Sequence, residues 1–221
     1  MKLLTSARLL SYPLVNVSIG QERKLYPLHS KLLCHHSKFF RSKFQTTEPA
    51  LSLSEAVLPE IKVEIFDVVV NWLYRGTLDH IPDGIHGLYL VYYLTEKLGI
   101  HTLGNLVMDA IRKCYRDNPT PNYPGIGRIH QVYRETAAGS PLRRFAVEAA
   151  YWKLMKDGTD VIHYIKGPDI NGDFVREFIQ AIQEKARDEA DGVDPRCCAI
   201  CIFHVHEGGK WCGASPPQET S

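Results

Sequence analysis

From Leu14 to Ile19 the chain reads Leu-Val-Asn-Val-Ser-Ile, partly alternating and rich in β-branched residues, which predicts a strand. Gly20-Gln-Glu supplies a turn, and Arg23-Lys-Leu-Tyr-Pro-Leu28 reads as the hairpin partner. Pro27 has no N–H for a ladder bond, so it is expected to mark the end of that strand. Ser30 and Ser37 are placed to cap two short helices, with Leu32, Leu33, Phe39 and Phe40 as their packing faces. Residues 45–54 are polar around Pro49 and read as a loop, and Ala56-Val-Leu58 reads as a short strand. Residues 62–74 are apolar on almost every side, the pattern of a buried helix, so Trp72 and Tyr74 are both expected inside. Gly76 suits the end of that helix. Leu88, Val91, Thr95 and Leu98 have helical spacing, as do Leu103, Leu106, Ala110 and Cys114, with Gly99 closing the earlier run.

Asn118-Pro-Thr-Pro-Asn-Tyr-Pro124 then breaks the pattern, because prolines this dense end any helix. Beyond it, Ile126, Ile129, Val132 and Tyr133 form one amphipathic stretch. Ser140-Pro141 combines a capping residue with proline at the first helical position, and Leu142, Phe145, Ala149 and Trp152 line one face of the helix that follows. Asn171 or Asp173 starts a last helix whose inner face would carry Phe174, Phe178, Ile179 and Ile182. Residues 186–196 are acidic and are expected to be loose.

Several motifs in the first half occur together and in order. They are Leu25-Tyr-Pro-Leu-His-Ser-Lys-Leu-Leu-Cys-His-His-Ser-Lys-Phe-Phe40, then Leu58-Pro-Glu-Ile, then Ile65-Phe-Asp-Val-Val-Val-Asn-Trp-Leu-Tyr-Arg-Gly-Thr77, then Leu94-Thr-Glu-Lys-Leu-Gly-Ile100. In this combination the chain resembles a BTB (POZ) domain, and in its second half it is similar to BTB proteins of filamentous fungi. The resemblance implies an α+β fold, a small three-stranded sheet capped by a helical cluster, followed by an all-α extension. The expected organisation is a BTB domain over 12–116, a helical extension over 124–187 and a flexible tail bearing Cys and His over 188–221. The implied function is non-catalytic protein association, with a second copy of the chain or a cullin-type ubiquitin ligase scaffold as partner. The cullin-binding pattern of a hydrophobic residue, any residue and Glu fits Leu53-Ser-Glu55, whereas the segment starting at Phe44 lacks the acid. Phe44, Leu53 and Glu55 are therefore the candidate partner-binding residues. Asn16 stands where the family usually has Asp.

Composition narrows the alternatives. Of the 221 residues 44% are hydrophobic and 23% charged, an ordinary globular balance, and the formal net charge is +1. No global field attracts nucleic acid, and no apolar run is long enough for a membrane span. Six cysteines, unevenly spread, do not form a disulfide framework, so a reducing compartment, cytoplasmic or nuclear, is expected. Lys24, Lys31, Lys38, Arg41 and Lys43 read as the solvated faces of short helices.

No nucleotide-binding loop, nucleophile elbow or metalloprotease motif is present, and no small-molecule substrate is expected. Cys34-His35-His36 sets a thiol beside imidazoles, but helical neighbours point about 100° apart and make no dyad. The C-terminal run carries Cys201, His204, His206 and Cys212 in the spacing C-x2-H-x-H-x5-C, with Cys197 and Cys198 close by. Thiolate and imidazole suit tetrahedral zinc, and His204 and His206 share one face of an extended segment. Zinc is thus the candidate ion, although the BTB fold requires no cofactor. A flexible tail whose Cys and His are incidental is the competing reading. A zinc-stabilised regulatory protein associated with nucleic acid is the alternative function.

Overall fold

The computed structural model describes residues 9–10, 13–45, 55–118, 122–156, 158–166, 171–187 and 192–206. The chain divides into two compact units, Met1–Val107 and Met108–Ser221.

In the first unit, β1 (Leu14–Ile19) is the central strand of a three-stranded sheet. It pairs antiparallel with β2 (Lys24–His29) and parallel with β3 (Glu55–Leu58). Gly20 makes the tight turn at φ 75°, a conformation open to glycine, and its N–H reaches the Leu58 carbonyl at 3.1 Å. Pro27 does not end β2. It pairs with Asn16 in mid-strand, and this is tolerated because β2 is an edge strand with one flank outside the ladder.

Val17, Ile19, Tyr26, Leu28, Ala56 and Leu58 form the buried face of the sheet. The helices of the unit are α1 (Ser30–His36), α2 (Lys38–Phe44), α3 (Val63–Arg75) and α4 (Ile85–Leu98). α5 (His101–Asp117) begins in this unit, and the division between units falls within it. The fold class is α+β, as the pattern predicts.

Ser37 joins two helices through one hydroxyl. Its Oγ accepts from the Phe40 N–H at 3.1 Å, capping α2, and donates to the Leu98 carbonyl at the end of α4 at 2.6 Å. The closing residue of α4, Gly99, has φ 63°, and a Cβ there would stand 2.9 Å from the Lys38 Cβ. Gly76 closes α3 in the same left-handed conformation. Trp72 is buried as expected, but Tyr74 is 42% exposed. α3 has a polar side, with Glu64 exposed and Asp67 and Asn71 half-buried. Tyr74 lies on that side with its hydroxyl 2.9 Å from His29 Nδ1.

In the second unit, α6 (Ile126–Glu135), α7 (Pro141–Lys156), α8 (Ile162–Ile165) and α9 (Gly172–Arg187) pack around Ile129, Val132, Leu142, Phe145, Phe174 and Phe178. The Ser140 Oγ accepts from the Leu142 N–H, and the Asn171 Oδ1 accepts from the N–H groups of Asp173 and Phe174, so both expected helix starts form. Ile179 is 42% exposed rather than inside. Phe174 and Phe178, four apart, take the inner stripe, and the next residue is rotated about 100° away from it. Arg143 is buried, lies over the Tyr133 ring at 4.5 Å, and donates to the Tyr133 and Thr136 carbonyls at the end of α6.

Two stability effects are expected. Ser37→Ala leaves the Leu98 carbonyl and the Phe40 N–H unpaired in the interior, and should lower unfolding free energy by about 1–3 kcal/mol in urea titration. The second concerns His36, which packs on Trp72 with ring centroids 5.0 Å apart. Burial, helped by the neighbouring His35, pushes its imidazole down to about 4. Between that value and about 6.5 the unfolded chain binds a proton at this position that the folded chain refuses, so stability falls as pH drops through this window. Urea midpoints measured at successive pH values should show this slope in the parent and a shallower one in His36→Gln.

Candidate functional site

The outer face of the sheet follows from the two-residue period of its strands. Because Val17, Ile19, Tyr26, Leu28, Ala56 and Leu58 point inward, Leu14, Leu25 and Val57 point to solvent. Ser18 lies between Leu25 on one side and Val57 on the other in the cross-strand register, and its hydroxyl donates to Glu55 Oε1 at 2.7 Å. Leu25 is 54% exposed and Val57 is 44% exposed. The sheet therefore presents apolar side chains on strands from both of its sides.

Of the three residues expected at a partner surface, Phe44 turns inward as the last residue of α2, where its ring stacks on Phe40 with centroids 5.9 Å apart. Glu55 is exposed at the start of β3. Leu53 lies outside the described residues. His29 precedes α1 without capping it, and its ring faces Tyr74 instead. Cys34 is buried, and burial pushes its thiol up, away from the thiolate form a nucleophile needs.

A second constellation lies in the second unit. The stretch 192–206, counted above as part of a loose tail, is packed. Asp194 starts a turn in which its carbonyl accepts from the N–H groups of Cys197 and Cys198. Arg196 lies 4.2 Å over the Tyr123 ring and pairs with the Asp194 carboxylate at 2.7 Å. The guanidinium and the Tyr123 hydroxyl counter the effect of burial and hold the Asp194 carboxyl below the usual range.

The buried Arg112 of α5 donates to the Pro195 carbonyl at 3.0 Å and to the Cys198 carbonyl at 2.6 Å. Phe203 is fully buried edge-on against Phe145, with centroids 5.5 Å apart. Of the stretch expected to be loose, residues 192–196 belong to this packed segment, which one aromatic and a set of backbone carbonyls matched to arginine hold in place.

Ile200–Phe203 form a 3₁₀ turn closed by the His204 N–H donating to the Cys201 carbonyl at 3.2 Å. Three residues per turn bring Cys201 and His204 to one side. The backbone is extended at His204, so His206 returns to that side as expected. One ligand atom from each of Cys201, His204 and His206 lies within 4.8 Å of the others. The His204 Nε2 is 3.1 Å from Asp109 Oδ1 on α5. Asp109 also faces Arg112 at 3.5 Å. Cys212 lies outside the described residues. Asp109 is the participant that sequence reasoning missed, since it lies 95 positions from His204 within an ordinary helical pattern.

Comparison with known proteins bears on the first of these regions. The family model of the BTB/POZ domain matches residues 8–113. The first half of the chain is a BTB/POZ domain. BTB domains are protein–protein interaction modules and are generally non-catalytic. No curated protein matches the sequence. One similar solved structure is the BTB (Tramtrack and Bric a brac) domain of human gigaxonin, at 16% identity and a TM-score of 0.37, covering 47% of this chain and 81% of that one. Among the described residues, no helix is long and apolar enough to cross a membrane.

The anchoring of the C-terminal segment is testable. Arg112→Met keeps the length of the side chain but removes every donor to the Pro195 and Cys198 carbonyls. Limited proteolysis followed by mass spectrometry should then find cleavage within 192–206 at least several-fold faster than in the parent, while the BTB domain is cut at the parental rate.

Proposed function

We propose that this protein is a non-catalytic association module whose partner docks on the outer face of the BTB sheet. The observation that supports the reading most directly is the solvent-facing pair Leu25 and Val57, on either side of Ser18 in adjoining strands. Apolar side chains gathered on an exposed sheet are an aggregation hazard unless a partner covers them, and proteins usually protect such surfaces with charge. Here Glu55 holds the Ser18 hydroxyl beside Leu25 and Val57, while Lys24 belongs to the opposite face, where it pairs with Asp67 of α3.

The partner takes one of two forms. In self-association a second copy contributes the same face, giving a symmetric dimer. In adaptor function a cullin-type scaffold docks, and Leu53 and Glu55 supply the hydrophobic-x-Glu contact.

Both forms are read in one experiment on the full chain. Sedimentation velocity across a concentration series reports self-association, and capture on a purified cullin N-terminal domain reports docking. Leu25→Asp/Val57→Asp should weaken whichever association the parent shows by at least tenfold, with no change in urea midpoint, because both side chains are already exposed. Glu55→Lys should weaken the cullin arm alone. A parent that remains monomeric and captures no scaffold, or a double variant that associates like the parent, overturns the reading.

A further inference from the structure

We propose that Cys201, His204 and His206 form a zinc-binding centre in the second unit, with Asp109 as the residue that positions His204. None of this depends on the BTB sheet or on what docks there.

The donor set suits the ion. Zinc takes thiolate at about 2.3 Å and imidazole at about 2.0–2.1 Å in a tetrahedron, which puts neighbouring ligand atoms roughly 3.5 Å apart. The three atoms already lie within 4.8 Å of one another, close to that spacing. One sulfur with two nitrogens is a borderline-soft set. It favours zinc over magnesium or calcium, which take oxygen ligands.

The backbone brings the ligands together beforehand. The 3₁₀ turn aligns Cys201 with His204, and the extended residue after it aligns His204 with His206. Phe203, buried between them in sequence, and Arg112, donating to carbonyls upstream, keep this turn against the rest of its unit. The site is thus built on a packed segment.

Asp109 adds an independent indication. Metal-bound histidines commonly donate their second ring N–H to a carboxylate, which sets the tautomer and strengthens the ligand. His204 shows this arrangement. Its side chain is only 4% exposed, and its Nε2 is directed at Asp109 Oδ1. In the tautomer that donates from Nε2 to Asp109, Nδ1 is the nitrogen that would meet the ion. Arg112 approaches the same oxygen, Asp109 Oδ1, and balances the carboxylate charge. Metal at this point would tie the C-terminal segment to α5 through His204 and Asp109.

The test uses the full-length chain, stripped of metal and titrated with cobalt(II), then with zinc in competition with a chromophoric chelator. The parent should bind one cobalt ion with the visible bands of a tetrahedral site and a thiolate-to-metal charge-transfer band. Cys201→Ser should lose the charge-transfer band, whereas Cys197→Ser/Cys198→Ser should keep it. Asp109→Asn should weaken zinc binding by about 10–100-fold, and Asp109→Glu should recover part of that loss. A purely structural role for Asp109 would leave zinc affinity unchanged. A parent without a tetrahedral cobalt spectrum, a Cys201→Ser chain with the parental one, or loss of the band in Cys197→Ser/Cys198→Ser instead, overturns the assignment. Because the cobalt spectrum is read on the parent first, a variant that fails to fold does not leave the question open.

Discussion

A guanidinium buried among backbone carbonyls governs the second unit. Arg112 is almost wholly removed from water, and a charge in that position must be matched by acceptors. The acceptors are the carbonyls of Pro195 and Cys198, with the Asp109 carboxylate alongside. The segment that provides them cannot leave without stranding the charge. Its attachment seats Phe203 against Phe145, directs the 3₁₀ turn, and delivers His204 to Asp109. The contact of His204 with Asp109 follows from that attachment, while the 3₁₀ turn and the extended residue after it bring Cys201, His204 and His206 together.

The BTB domain rests on a different kind of constraint. Its core is apolar, and its strands separate an interior from a surface at every second residue, apart from Ser18, which is buried on the outer face. The interior is held in register by a few polar joints, of which Ser37 is the most economical, since one hydroxyl satisfies a helix start and a helix end. Among the described residues the polar joint of the outer face is Ser18 with Glu55, and Leu25 and Val57 stand exposed beside it. A module whose work is association needs this division, a rigid interior presenting a surface that is stable when free and more stable when covered.

Much of the fold of both units was legible in the linear pattern. Strand alternation, the capping residues Ser37, Ser140 and Asn171, and the closing glycines Gly76 and Gly99 are local signals, each set by a dihedral preference or a single hydrogen bond. The motifs from Leu25 to Ile100 named the domain because they record local geometry and core contacts in order. Pro27 was misread because whether a strand lies at an edge depends on its neighbours, which the strand itself does not encode. Tyr74 was misread because a helix that is apolar almost all round still needs one side for water, and a phenol can serve both environments.

The sequence by itself determined the order of the three strands and the longer helices, the α+β class and the spacing that makes Cys201, His204 and His206 candidate ligands. Only the tertiary structure decided that residues 192–206 are packed, that Phe44 points inward, and that Asp109 stands behind His204. The physical reason is distance along the chain. Helix caps and strand periods act over a few residues, while the pairing of Arg112 with Cys198 or of Asp109 with His204 spans more than eighty. Such long-range partners are chosen by whichever buried charge and acceptor the folded chain brings together, and no local pattern carries that choice.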